Sequence, residues 1–469
     1  MKLILNIFFC LFAGLLCIAA PNRYSYEFCL LILMIFLGNV VYFFLSNKTG
    51  TGNAATFDFF FIFSYGMVNF IYPVFYKPYN PNYTIFEYPF NHNVISKSTA
   101  IAYLGFTFFV LGKSSYKTVA NTVQNYKREE LPDFKVNGLF VRSIFLVAIA
   151  SLIGYIATGG LKEIQNVYSG SGGSLNTVGL FSYFNNVFVI CANLLAIFVF
   201  LVRDKVTKMI TFAFIIFCSL MMLTTGSRTL VLGLGLILFT SYGRFVKRIS
   251  LPKMMIILLI GSLFMTFIQV SRTQQFSGSR WVDDASRNLE IESPFDIFND
   301  LVVNNRNLYV LVDFADKTGH VFFLSAISDL TSPIPGAFSY ISDSVGLPLE
   351  LITGGALPTF IEFGADSDWG LGTNLVGETY VGYGFYGICI IMFLIGAAVK
   401  YSYRYSDKSI YSFVIYYLLV SHAVFFPRAF YLYQPRTLVW SILLIFILLR
   451  ITNSISKRRS VTSNISIEI

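Results

Sequence analysis

The chain has 469 residues, of which 55% are hydrophobic, 17% aromatic and only 13% charged, with a mean hydropathy of +0.65; water-soluble domains are roughly one-quarter charged. That much apolar surface excludes a soluble globular fold. The formal net charge of +9 is then a feature to be explained by membrane topology, and no nucleic-acid-binding motif accompanies it.

Residues 1 to 20 combine a basic start, an apolar centre and Ala19-Ala20. This pattern raises a cleaved signal peptide as an alternative, but the run approaches spanning length and more spans follow at once, so a retained first helix is expected. After the window at 3 to 20, apolar windows lie near 27 to 45, 57 to 76, 98 to 112, 138 to 157, 179 to 201, 208 to 223, 229 to 242, 254 to 271, 374 to 399, 410 to 426 and 437 to 450. They predict an all-α polytopic membrane protein of about twelve transmembrane helices. The expected organisation is nine helices in 1–270, a cap loop at 271–373, three helices in 374–452 and a polar tail at 453–469.

With the N-terminus inside, every second connection carries a basic cluster: Lys48; Lys113 to Lys135; Arg203, Lys205 and Lys208; Arg244 to Lys253; Lys400, Arg404 and Lys408; and Lys457 to Arg459. All of them then share the inner face, as positive-inside bias requires. The segment 271–373 is the opposite, with fourteen Asp or Glu against five Lys or Arg. Its first part, through NNRNLYVLVDFADKTG, reads as helical, and the part from SPIPG to PTF, punctuated by Pro and Gly, reads as irregular.

The six cysteines all fall inside apolar runs, so neither a disulfide nor a zinc site is expected. Arginines on the outer side are the informative residues, because charge bias should exclude them. They are Arg228 in TTGSR, Arg272, Arg280, Arg287, Arg306 in NNRN, and Arg428 and Arg436 in FFPRAFYLYQPR. Guanidinium groups fork onto phosphate oxygens, and an arginine at membrane depth costs on the order of 3 kcal/mol unless an anion offsets it. Ser227 as cap and Arg228 at a helix start predict an anion cradle, and Pro435-Arg436 repeats the geometry. Snorkelling to lipid phosphate or pairing with a loop carboxylate is the plainer alternative for Arg228.

Glu378, in GETYVGYG, lies in a first helical turn, where the dipole favours a carboxylate; neighbouring Tyr380 and glycines allow a ligand or a second helix to approach. Glu378, Asp329 and His320, the only histidine of the loop, are the candidate bases. Asp366 and Asp368 spell DxD, but in so acidic a loop a metal site is not expected, and no Walker loop, G-x-S-x-G or HExxH occurs.

The words LTTGSRTLVLGLGL, NNRNLYVLVDFADKTG, SPIPG, PTF and GTNLVGETYVGYGFYG resemble the O-antigen polymerase family of the Wzy type. The resemblance covers about 220 to 400 by pattern and the whole chain by hydropathy. One departure is Gly382-Tyr383-Gly384, where relatives often carry Asn-Phe-Gly. The resemblance implies a metal-independent, cofactor-free glycosyltransferase of GT-C-like architecture with one large periplasmic loop between its ninth and tenth helices. It implies undecaprenyl-pyrophosphate-linked glycans as donor and acceptor in the bacterial inner membrane, with both termini cytoplasmic. Membrane lipids, a chain-length regulator and a flippase are the implied partners, and nucleic acid is not. Arg228, Ser227, Arg272, Arg280, Arg306, Arg428, Arg436 and Tyr380 would bind substrate. An O-antigen ligase acting on lipid A core shares these features, and a flippase for the same lipid is the alternative from another class. Transporters more often show repeated halves and charged helices near the midplane.

Overall fold

The computed structural model describes residues 2–46, 53–79, 89–115, 132, 134, 136–160, 180–224, 228–261, 299–365 and 370–465. Among these residues there is helix and no strand. In chain order the main helices are α1 (Lys2–Ile18), α2 (Tyr26–Ser46), α3 (Phe57–Ile71), α4 (Ile95–Ser115), α5 (Gly138–Ala157), α6 (Leu180–Phe198), α7 (Lys205–Thr224), α8 (Arg228–Phe245) and α9 (Leu251–Gly261). They continue with α10 (Asn304–Thr318), α11 (Ile327–Thr331), α12 (Ala337–Val345), α13 (Leu357–Phe363), α14 (Leu375–Tyr405), α15 (Ile410–His422) and α16 (Pro435–Ile465). Helix therefore occupies all or part of each predicted apolar window. Eight helices among the described residues are long and apolar enough to cross a membrane, whereas α1, α8, α9 and α15 are shorter apolar helices.

Local sequence fixes several of these boundaries. The side chains of Thr56, Asn137 and Asn374 each accept a backbone N–H at the start of α3, α5 and α14, satisfying donors that a helix start leaves open. Asn374 also donates its amide to Asn69 Oδ1 at 3.0 Å, which ties the start of α14 to α3.

The bundle centres on α3, α4 and α14. In the apolar stretches of Phe57–Tyr76 and His92–Ser115, 78% of the residues are buried, against 22% in Pro435–Ile455, so the first two are central and the last is peripheral. Gly112 and Gly396 let α4 and α14 cross at backbone contact: a Cβ on Gly396 would overlap the carbonyl oxygen of Phe109, and one on Gly112 that of Phe393. In lipid, where apolar burial gives no advantage, such close packing is what joins helices. Aromatic rings fill the remaining space, with Phe36 4.5 Å from Phe70 and Phe61 4.5 Å from Phe109, centroid to centroid. Outward faces are apolar, as Met209, Ile216, Phe217 and Leu220 on α7 illustrate.

The described part of the long connection packs against α3, α4 and α14. Helix α10 is seated by Asn305 donating to Met67 O at 3.2 Å, Asn91 donating to Asp313 at 2.7 Å and an ion pair between Lys97 and Asp316 at 2.7 Å. Gly377 leaves room for it, since a Cβ there would lie 2.8 Å from Leu311. The Pro/Gly-punctuated stretch is more ordered than its composition predicts. It forms short helices, α12, Leu349–Ile352 and α13, separated by Gly336, Gly346, Gly355 and Gly364 at positive φ. Residues 282–298, also expected to be helical, lie outside the described residues.

Within Gly382-Tyr383-Gly384, the third glycine, which the Asn-Phe-Gly pattern shares, has a structural role. Gly384, at φ 65° and ψ −155°, breaks α14. The carbonyls of Val381 and Gly382, withdrawn from the helical ladder, accept instead from the backbone N–H groups of Val321 and Phe322 at 3.0 Å each. The break thus stitches the cap to the membrane helix.

Candidate active site

A cavity of about 1250 Å³ opens between the cap and the membrane helices. Three helix starts converge on it: Thr229 and Leu230 of α8, Pro435 to Thr437 of α16, and Gly370 to Thr373, which lead into α14. Gln434, at φ 53°, turns the chain so that α16 begins at the cavity wall. Helix starts present free N–H groups and a positive dipole end. The short α15 ends at His422, and the irregular stretch after it, with a 3₁₀ turn at Phe426–Arg428, lines the same space. Irregular backbone at membrane depth is tolerated where it lines such a cavity.

Three predicted arginines meet here from separate parts of the sequence: Arg306 of α10, Arg428 and Arg436. Arg306 is 3% exposed and ion-paired to Glu362. Arg428 lies 4.8 Å from the centre of the Phe425 ring. Arg436 donates Nε to the Ser332 carbonyl at 2.7 Å and lies 5.9 Å from the Trp440 ring centre, and Trp440 donates to Pro333 O at 2.8 Å. These contacts hold the guanidinium groups in place. Asp329 of α11 is the one carboxylate among the described lining residues, against these three arginines.

Burial pushes the Asp329 carboxyl up to about 7, against the opposing effects of the Gly354 N–H and Arg436. Gly354 is required by this arrangement, because a Cβ there would overlap Asp329 Oδ2. Glu378 is wholly buried and does not line the cavity; it stands behind Thr373, whose hydroxyl donates to Glu378 Oε1 at 2.6 Å. The Gly355 N–H faces the same carboxyl group, and Asp329 is near enough to interact with it electrostatically.

Other predicted residues lie elsewhere. Tyr380 donates to Asp316 Oδ1 at 2.9 Å and meets the edge of His320 at 5.8 Å between ring centres. His320 is exposed and sits over Gly384. Neither lines the cavity; together they belong to the seam between cap and bundle. The backbone of Arg228 begins α8, while its side chain, Ser227, Arg272, Arg280, Arg287, Asp366 and Asp368 lie outside the described residues. Among the described residues no three His, Cys, Asp or Glu side chains gather as a metal site. Asn186, Asn193, Asn304, Asn307 and His422 of the wall were not among the residues expected from sequence. The available signal was the cluster of asparagines around Arg306 in NNRN, of which Asn304 and Asn307 reach the wall.

An all-helical, multi-pass membrane protein with an arginine-lined cavity beneath a folded cap is the class that fold and site define. The family model described as O-antigen polysaccharide polymerase Wzy matches residues 2–459, and the chain belongs to that family. Its activity is therefore the polymerisation of oligosaccharide repeat units, and its substrates are lipid-linked oligosaccharides in the membrane. No curated protein and no solved structure matches the chain.

Proposed function

We propose that the cavity is the polymerisation site, opening to the periplasmic face of the bacterial inner membrane, with both chain termini cytoplasmic and a GT-C-like arrangement of spans. The observation that carries this reading is the meeting of Arg306, Arg428, Arg436 and Asp329 in one cavity bordered by helix starts. The donor is an undecaprenyl-pyrophosphate-linked glycan and the acceptor a second lipid-linked unit. Arg428, Arg436 and Arg306, joined by Arg228 at the start of α8, hold the diphosphate.

As the acceptor hydroxyl oxygen attacks the anomeric carbon, the bond from that carbon to the diphosphate oxygen breaks, and the electron pair leaves with the diphosphate. Negative charge grows on the leaving group, and preorganised guanidinium and N–H donors stabilise it more than they stabilise the ground state. This is the role a metal ion would otherwise fill, which supports a metal-independent mechanism. The hydroxyl proton passes to Asp329, whose elevated affinity for protons suits a base working near neutral pH. Glu378 acts as a positioning residue, holding Thr373 at the wall. His320 and Tyr380 keep the cap in register on α14. A flippase delivering the substrate and a chain-length regulator acting on the product are the partners this reading requires.

The test is reconstitution of the purified protein with a defined lipid-linked repeat unit. Wild-type protein is expected to give a ladder of products and Arg436→Ala none, with Arg436→Lys intermediate, because an ammonium keeps the charge and loses the fork. A normal ladder from Arg436→Ala would reject the reading.

A further inference from the structure

The side of the cavity wall that α6 supplies carries no charged residue among those described. Asn186, Val189 and Asn193 line it at the spacing of one face of α6, so it follows that helix for about 10 Å. Asn193 is 2% exposed, and its Oδ1 has no hydrogen-bond partner among the described residues. On the facing helix, His422 also lines the cavity, and neither of its ring nitrogens has a hydrogen-bond partner among the described residues. Its ring is oriented by Tyr433, edge-on at 5.0 Å. Gly233 lets α8 approach α15 here, since a Cβ would lie 3.1 Å from the Ser421 carbonyl oxygen. Buried polar atoms without partners are uncommon, and two residues from separate helices sharing a cavity mark a place that a ligand completes.

From this we infer that Asn193 and His422 form a sugar-binding subsite that reads hydroxyl groups of the glycan carried by the lipid. The inference rests on the cavity being the substrate site and adds what the wall at α6 and α15 recognises. The chemistry of the open atoms selects the ligand. An amide oxygen is an acceptor, and a neutral imidazole offers one acceptor and one donor. A diphosphate has only acceptor oxygens to present and cannot complete an amide oxygen. A sugar hydroxyl donates and accepts at once, and a ring carries several at fixed spacing. The arginine wall and this subsite therefore divide the substrate, the first taking the charged link and the second the carbohydrate.

The test compares equilibrium binding of two probes to the purified full-length protein: undecaprenyl pyrophosphate without sugar, and the same lipid bearing the repeat unit. His422→Ala and Asn193→Ala are each expected to weaken binding of the glycan-bearing lipid about tenfold and to leave the bare lipid diphosphate unchanged. His422→Gln, which keeps a donor and an acceptor, is expected to recover most of the loss and covers the case in which His422→Ala does not fold. Equal weakening of both probes, or of neither, would overturn the inference while leaving the arginine reading standing. Failure of the wild-type protein to prefer the bare lipid diphosphate over undecaprenol would overturn the arginine reading and this inference with it.

Discussion

Replacing Asp329 by Asn removes a proton acceptor while preserving shape, which matters because Gly354 leaves no space beside the carboxyl group. Burial raises this group from its ordinary value of 3.8 to about 7, a displacement of about three units, or roughly 4 kcal/mol favouring the neutral form in the folded state. Two consequences have opposite signs. A base must be deprotonated, so the wild-type elongation rate should rise about tenfold from about pH 6 to about pH 8 and level off above that. Stability should move the other way. The folded protein holds this proton between about 4 and about 7 while the unfolded chain does not, so the contribution is complete below about pH 4 and is lost as pH rises through about 7. Asp329→Asn should therefore slow elongation by about 10² to 10⁴ while melting at a higher temperature than wild type above about pH 7. Initial-rate measurements on the reconstituted enzyme across that range, paired with thermal melts of the same samples in detergent, read both effects. Full activity in the Asn variant, or a flat wild-type profile from about pH 6 to pH 8, would refute Asp329 as the base.

Further outcomes concern the frame around the site. Gly384→Ala places a side chain at φ 65° and ψ −155°, a region open essentially to Gly alone, at a cost of about 1–3 kcal/mol. The variant should melt several degrees lower, and adding His320→Ala should not restore it, because the strain lies in the backbone; full recovery in the double variant would show that the contact with His320 dominates instead. Gly396→Val drives a side chain into the Phe109 carbonyl, where no side chain can swing aside. The expected overpacking cost of about 3 kcal/mol or more should sharply reduce monodisperse protein on size-exclusion chromatography, and wild-type yield would contradict the described crossing of α4 and α14.

The helices were legible in the sequence because lipid imposes one rule along the whole chain: an apolar window long enough to satisfy its backbone internally becomes helix. Where the reading overran, a local signal competed. The window 410 to 426 continues through Phe425 and Phe426, yet α15 stops at His422 and Phe426–Arg428 forms a 3₁₀ turn containing Pro427. The arginines of the cavity were visible because they stand against the expected charge bias. Asn193 and His422 were not, because a polar residue within an apolar span reveals its partner only once helix rotation is known. Glu378 shows the converse: its sequence context of small residues marks close approach, and the structure brings α10 against Gly377 there. Its carboxyl group reaches the cavity only through Thr373.

The central claim is that the arginine wall binds the lipid diphosphate, and equilibrium binding of undecaprenyl pyrophosphate to the Arg428→Ala, Arg436→Ala double variant tests it most directly. Removing two guanidinium groups, each a charge-assisted donor to phosphate oxygen in a partly buried site, should weaken binding at least about a hundredfold relative to wild type. Undiminished affinity in a correctly folded double variant would contradict it.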